Sequence, residues 1–445
     1  MTRHAHLKER IRARMAKTGE RYATARRHVL AQQVPGTSTS VLPAHSHLPG
    51  QVPAISALRV LLTHAGIVAP HTTIPFSEAF LFGIAGGIGI GIFSFYYVRE
   101  DIATFFLAGR HHWYDDRRYL GAALERLGID PIIEESGGAR AAEAQLRAAL
   151  AKHGPCIAWV DGSVLPHREG PEGRSGSGYH VVTIYEVDVT RGTALVGDLA
   201  DEPIHLSLDL LAAARSRIKK DRQRILYLGQ RHTLPSLEHL VTDGLRACYH
   251  GLLHPALPAA GAANARLDAV RVWAERMEGS RAKDSWERVY HAGHNFFRAL
   301  CAINEFIEHY GTGGGLCRPL FADFLTEAAA ILARPDLADL GMQYAELGHA
   351  WSTLADTALP DAVPLLREAK ALLTRQAVLL HMGAAADEHA NIRQRMAQLE
   401  QQAALAFPLS GAECRDLRIA LRQQIAALHA AEVAAHAVLG ACLGV

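Results

Sequence analysis

A histidine and an aspartate stand at the ends of neighbouring hydrophobic runs. Three such runs, each long enough for one strand, cover residues 155–161, 179–187 and 193–198. His180 opens the second run and Asp198 closes the third. This layout can hold an imidazole beside its orienting carboxylate, two of the three groups of a nucleophile–His–acid triad. The third group is missing in the expected place, because no cysteine precedes Cys156.

The other candidate nucleophiles are weak. Ser56 lies in an apolar helical pattern, and a serine there would need strong activation and an oxyanion hole. Cys156 falls inside a strand-like apolar run, where a buried core thiol is the usual interpretation. His180 and Asp198 themselves have a plain alternative, a structural polar pair at a sheet edge.

Three further residues are candidates for binding the substrate. Asp161 ends the first run and is either a pocket residue or a turn residue at a strand end. Gly87 lies in a glycine-rich segment, residues 83–91, which lacks GxGxxG spacing and therefore does not indicate a dinucleotide site. Arg318 follows the Gly311–Gly315 turn and could pair an anionic group, although a plain interhelix turn with a solvated arginine is the simpler interpretation.

No cofactor or metal is expected. His291 and His294 form an HxxH pair without an acidic third ligand, which is typical of a helix surface. The six cysteines are scattered without CxxC spacing, and no apolar segment follows the basic N-terminus. These features favour a reduced, cytoplasmic protein rather than a secreted disulfide framework.

Residues 1–33 form a basic arm that stands apart in charge. The arm has nine basic and two acidic residues, whereas the whole 445-residue chain carries only +1. Its apolar spacing predicts two short amphipathic helices. A solvated arm and a docking element for an acidic partner are both open, and we expect the arm to fold apart from the rest. Residues 34–52, rich in Pro, Ser and Thr, read as a linker.

The remaining chain divides into an α+β part and an all-α part. Residues 53–232 predict helices first and then an antiparallel sheet, with a helix from Ser77 to Phe82 and a strand from Ile92 to Val98. Residues 79–98 are also uncharged and long enough to span a bilayer, but their glycines argue against a membrane segment. Residues 233–445 predict a helical bundle whose leucine stripes form core or a homodimer interface.

Three stretches resemble a known family. They resemble the butirosin biosynthesis protein H N-terminal domain and its associated helical domain of unknown function. The stretches are SEAFLFGIAGGIGIGIF (77–93), the block from GPCIAWVDGSVLPH (154–167) to LVGDLADEPIHLS (195–207), and GGGLCRPLFADFLTEAA (313–329). The resemblance implies a papain/C39-peptidase-like fold that moves an aminoacyl group from a carrier-protein thioester to an amine. His180 matches the family histidine and Asp198 its acid.

The resemblance also implies where the nucleophile should be. The family places a Cys after a His in a helical segment that here begins Val52-Pro53, so that Pro53 falls on the Cys position. We therefore expect a binding protein or a degenerate acyl-transfer protein of secondary metabolism, with a carrier protein and a small amine as partners. An active transferase or hydrolase using Ser56 is one alternative, and a scaffold recruited through the basic arm is another.

Overall fold

The computed structural model describes residues 3–18, 25, 26, 29, 47–168, 178–255, 257, 259–279, 281–383 and 386–445. After helix α1, the first half of the chain contains five helices and eight strands in this described part. In order these are α1 (Arg3–Thr18), α2 (Pro53–His64), α3 (Glu78–Ile84), β1 (Ile88–Tyr97), β2 (Ile102–Arg110), α4 (Asp116–Arg126), β3 (Ile129–Glu134), α5 (Ala139–His153), β4 (Cys156–Asp161), β5 (Tyr179–Asp188), β6 (Thr193–Gly197), β7 (Ile204–Ser207), α6 (Leu208–Arg217) and β8 (Ile225–Arg231).

Six of the strands form an antiparallel sheet in the order β3-β8-β4-β5-β6-β7. Thr183 of β5 pairs with Gly197 of β6. Because these neighbours run in opposite directions, the start of β5 and the end of β6 meet at one edge of the sheet. His180 and Asp198 are therefore brought together by strand pairing. The predicted α+β class with an antiparallel sheet is confirmed.

The apolar segment 79–98 is a helix followed by a strand. Ser77 caps α3 by accepting a hydrogen bond from the Phe80 amide at 2.8 Å. β1 then pairs with β2 in a separate two-stranded sheet. The sequence predicted part of β1 and did not predict β2. In this two-stranded sheet, β2 pairs with β1. This segment does not form a continuous helix that could span a membrane.

The second half is helical. Its helices are α7 (Leu237–Leu253), α8 (Ala259–Ala262), α9 (Asp268–Met277), α10 (Trp286–Val289), α11 (His294–Glu308), α12 (Arg318–Leu332), α13 (Pro335–Ala358), α14 (Pro364–Met382), α15 (Ala386–Leu405) and α16 (Gly411–Leu443). Leu366 and Leu373 of α14, and Leu421 and Ile425 of α16, are buried. The leucine stripes therefore supply core.

By length and composition, α16 is one helix in the described residues that could cross a membrane. Core helices of soluble proteins pass the same test, so this is weak grounds for a membrane segment. Within α16, Glu432 is fully buried and pairs with Arg318 of α12. A buried ion pair with another helix is typical of a packed core helix.

The two halves share one hydrophobic core. Phe80 of α3 and Phe324 of α12 are both fully buried and lie 6.5 Å apart between ring centroids. A Cβ atom at Gly83 would lie 2.2 Å from the Phe324 ring, so α3 and α12 approach closely only because residue 83 is glycine. The helical half thus covers one side of the α+β half.

Within its described residues, the basic arm contacts the rest of the fold through Arg26, in contrast to our expectation that it folds apart. Arg26 is fully buried, and its Nη2 donates to Asp201 Oδ1 at 2.6 Å while Nη1 donates to the Gly50 carbonyl at 3.2 Å. Ile11, Ala25 and Val29 form a small buried cluster. The sequence did not predict this contact, because a basic residue is usually exposed to solvent. Arg26 instead pairs with a buried carboxylate, Asp201, of the α+β half.

Candidate functional site

His180 and Asp198 form a direct hydrogen-bonded pair. His180 Nε2 lies 3.0 Å from both Asp198 oxygens. An ionised carboxylate only accepts hydrogen bonds, so Nε2 carries the proton. The neutral ring then has its lone pair on Nδ1, which has no hydrogen-bond partner within the described part of the chain. This geometry fixes both the tautomer and the orientation of the ring.

Asp198 is the centre of a larger cluster. His167 Nε2 lies 2.9 Å from Oδ2, Arg168 Nη1 lies 3.1 Å from the same oxygen, and the Leu199 amide donates to Oδ1 at 2.8 Å. Burial by itself would raise the pKa of Asp198, but Arg168, His180 and the hydrogen bonds outweigh it and hold the pKa well below its usual value. Asp198 is therefore a fixed negative charge.

His180 is held as a neutral base. Burial lowers its pKa most, the nearby Arg168 lowers it further, and Asp198 opposes both effects. The net lowering keeps the imidazole unprotonated at neutral pH. A neutral imidazole with a free Nδ1 is able to accept a proton from an attacking nucleophile.

His180 lines a cavity of about 580 Å³ between the two halves of the molecule, with Asp198 behind it. Its volume lies in the range of small-molecule sites. His180, Tyr179 and Trp159 line it from the six-stranded sheet, and Tyr310, Gly311 and Thr312 line it from the helical half. Gly311, the first residue of the glycine turn after α11, therefore lies on the cavity wall.

Pro53 lies on the wall of the same cavity, at the first position of α2. The preceding amides of Gln51 and Val52 both donate to Glu78 Oε1, at 2.7 and 2.8 Å. Glu78 thereby fixes the start of the helix without a side-chain cap. Proline has neither a nucleophilic side chain nor a backbone N–H, so position 53 can supply neither an attacking group nor an oxyanion-hole donor.

Ser56 is not on the large cavity. It is buried, and its hydroxyl donates to the Leu48 carbonyl at 3.3 Å. It lies in a narrow gap between Pro53 and Asp198 that has no room for a water molecule. A substrate carbonyl could reach this hydroxyl only if α2 moved.

Asp161 and Gly87 have local structural roles. Asp161 Oδ1 accepts from the Ser163 amide at 3.0 Å, and Oδ2 lies 2.9 Å from Arg217 Nε. Gly87 has a φ of +63°, and a Cβ there would lie 2.8 Å from the Phe321 ring. Neither residue lines the cavity: Asp161 makes a turn contact, and Gly87 allows a close backbone approach.

Arg318 has a structural role as well. Its guanidinium is fully buried, its Nε donates to Glu432 Oε1 at 2.7 Å, and its Nη1 donates to the carbonyls of Gly109 and Leu316. Arg318 does not line the cavity. It follows the glycine turn in sequence, but the first turn of α12 points its side chain into the core.

The structure adds residues that the sequence did not single out as site residues. His167 and Arg168 follow β4 and reach back to Asp198. Phe93, Phe106 and Trp113 line the cavity from the β1–β2 hairpin and the loop after it. The aromatic composition of residues 93–114 was a usable signal, but only the pairing of β1 with β2 places these rings together.

The cysteines are poor nucleophiles where they lie. Cys317 is on the cavity wall, yet burial raises the pKa of its thiol to about 12. Burial raises the pKa of Cys156 to about 12 as well. Both thiols are therefore protonated at neutral pH. Within the described residues, no group of three or more His, Cys, Asp or Glu side chains could hold a metal.

The architecture defines a class: an α+β domain with a buried His–Asp pair, whose cavity is completed by a helical domain. The family model described as Butirosin biosynthesis protein H, N-terminal, matches residues 54–199, and the model described as Domain of unknown function (DUF4872) matches residues 209–406. A comparison with curated proteins gives no match. Residues 54–199 thus belong to the butirosin biosynthesis protein H N-terminal family and residues 209–406 to DUF4872, in the order that the sequence predicted.

The boundaries of the two matched ranges can be compared with the helices and strands of the structure. The first match begins at Ala54, directly after Pro53. The second begins at Asp209, although β8 at Ile225–Arg231 still pairs with β3 and β4 of the six-stranded sheet. The last strand of the α+β half thus comes from the residues that match the second model.

Proposed function

We propose that this protein binds an acyl group, delivered as a thioester by an acyl carrier protein, without forming a covalent acyl-enzyme at the start of α2. The observation that carries the proposal is the combination on one cavity: an intact His180–Asp198 pair beside Pro53. A His–Asp pair alone can orient a ligand, whereas covalent catalysis also requires a nucleophile.

A second candidate is direct transfer of the acyl group to a small amine. Its support is the unbonded Nδ1 of a neutral His180. The amine nitrogen would attack the thioester carbonyl, and His180 would take the proton released by that nitrogen. The proton would then pass to the departing thiolate, so His180 returns to its neutral form and no bond to the protein is made.

Ser56 as a covalent nucleophile is the less favoured alternative. Its hydroxyl is engaged with Leu48 and is buried beside Pro53, away from the large cavity. The papain-like assignment, the cytoplasmic location, the acidic partner of the basic arm and a homodimer through the C-terminal helices stay predictions.

The test uses full-length protein and acyl-N-acetylcysteamine thioesters as probes. We expect calorimetry to give saturable binding, and intact-mass spectrometry to give no acyl adduct. His180→Gln should weaken binding or, with an added amine, abolish transfer. His436→Gln is a matched control, since His436 is also buried, bonds to the Tyr249 carbonyl at 3.0 Å and does not line the cavity.

Two results would contradict the proposal. The first is a stable adduct on Ser56 or Cys317, which would establish covalent chemistry. The second is the absence of saturable binding for every thioester, which would remove the acyl ligand itself.

A further inference from the structure

One end of the cavity is an aromatic cluster on the β1–β2 hairpin. The ring centroids of Phe106 and Trp113 are 4.9 Å apart, and those of Phe93 and Trp113 are 5.3 Å apart. All three side chains are only partly buried and line the cavity, and Phe95 stacks on Phe93 beside them. A group of aromatic rings left partly uncovered inside a cavity is an apolar surface that a ligand can cover.

The backbone of β1 is shaped to hold the indole there. A Cβ atom at Gly91 would lie 2.6 Å from the Trp113 ring, so residue 91 must lack a side chain for Trp113 to lie over the strand. Trp113 Nε1 also donates to the Ile90 carbonyl at 3.3 Å. The ring is therefore fixed before any ligand arrives, which reduces the entropy lost on binding.

The sheet side of the cavity has the opposite character. His180 and Arg168 line it there, with Asp198 buried behind them, and Lys220 Nζ lies 3.9 Å from the centroid of the Tyr179 ring. Lys220 has no carboxylate within ion-pair distance in the described part of the chain. This side suits a polar carbonyl or an anionic group, in contrast to the hairpin side.

We infer that the acyl group held in this cavity carries an aromatic or similarly bulky apolar side chain, which lies against Trp113 while its carbonyl faces His180. The inference rests on the proposed acyl-binding function and adds the substrate class. A small or purely polar acyl group would leave the rings of Phe93, Phe106 and Trp113 uncovered and would gain nothing from them.

The experiment compares two probes, 3-phenylpropionyl-N-acetylcysteamine and acetyl-N-acetylcysteamine, by calorimetry on the full chain. Wild-type protein should bind the phenylpropionyl probe at least tenfold more tightly. Trp113→Ala should remove most of that preference and leave the affinity for the acetyl probe within about twofold, because the lost contact concerns only the aromatic group.

Tyr96→Ala is the matched control. Tyr96 lies on the same hairpin, is exposed and does not line the cavity, so its removal should leave both affinities unchanged. If Trp113→Ala does not fold, Phe93→Leu supplies the same comparison with a smaller change. Trp113→Phe should restore part of the preference, which a general loss of structure would not allow.

The two proposals fail in different ways. Equal affinity for the two probes in wild type, or an unchanged preference in Trp113→Ala, would overturn the aromatic substrate class and leave acyl binding intact. Absence of binding for both probes would overturn acyl binding itself, and the aromatic class with it.

Discussion

Two buried charged clusters distinguish the halves of this molecule. In the α+β half, Asp198 is surrounded by His180, His167 and Arg168, and two members of that cluster, His180 and Arg168, line the cavity. In the helical half, Arg318 and Glu432 are both fully buried and do not line this cavity. Burial and charge are alike in the two places, so they do not by themselves mark a functional site. Access to a ligand makes the difference.

The sealed cluster should give the largest effect on stability. Arg318→Met leaves Glu432 buried without its cation, and we expect unfolding to become easier by about 5 kcal/mol. Trp351 Nε1 still donates to Glu432 at 2.7 Å, which offsets only part of the loss. Chemical denaturation measures the change. The double variant Arg318→Met with Glu432→Leu should recover most of it, and a single variant of wild-type stability would show that the pair is not structural.

Arg26 and Asp201 form a third buried ion pair, and breaking it should have a smaller effect on stability than breaking the pair of Arg318 and Glu432. Arg26→Met should destabilise the protein by about 3 kcal/mol, since it breaks the buried ion pair between Arg26 and Asp201. Asp201 ends the turn that begins at Asp198, and His47 Nε2 is 2.7 Å from the Ala200 carbonyl in that turn. The measurement is the melting temperature of Arg26→Met. The control is Arg10→Met, which removes an exposed charge of the same arm. Equal melting temperatures would restore the idea of an independent arm.

Lowering the pH should weaken the contact between the two halves before it protonates Asp198. His381 of α14 lies 3.0 Å from the Leu199 carbonyl through Nδ1, and burial lowers its pKa to about 3. The unfolded chain binds this proton near pH 6.5, so the contribution of His381 is complete above that pH and is lost as pH falls from 6.5 towards 3. Between pH 6.5 and pH 5 the loss is about 2 kcal/mol. Asp198, with its depressed pKa, contributes losses only below about pH 4.

Melting curves across this pH range test the assignment. His381→Gln keeps a donor for the Leu199 carbonyl but cannot titrate, so its stability should fall less steeply between pH 6.5 and pH 5. Identical slopes for wild type and variant would show that other histidines carry the acid response.

The smallest effect is expected at Ser56. Ser56→Ala removes one long hydrogen bond to a carbonyl on a partly exposed residue, which should cost less than about 1 kcal/mol. Probe binding should not change, because Ser56 does not line the large cavity. Loss of acyl binding or transfer with normal stability would place Ser56 in the chemistry and reverse its assignment here.

Local patterns determined much of this protein from sequence. Ser77 and Ser207 each precede a short helical pattern, and each caps its helix by accepting an amide hydrogen bond. The strand that begins at His180 and the strand that ends at Asp198 could be predicted because a hydrophobic run and its order in the chain are properties of a few consecutive residues. Antiparallel pairing of neighbouring strands then required the two side chains to meet. The family, the fold class and this pair all followed from such short-range signals.

The tertiary structure alone decided which residues reach the ligand. Arg318 and Arg26 read as solvated cations, but each finds a carboxylate more than 100 positions away, Glu432 and Asp201 respectively. Tyr310 and Trp113 come from different halves and line one cavity. The physical reason is that burial and access depend on contacts between distant segments, whereas a residue's type and its neighbours in sequence specify only what it could do once placed.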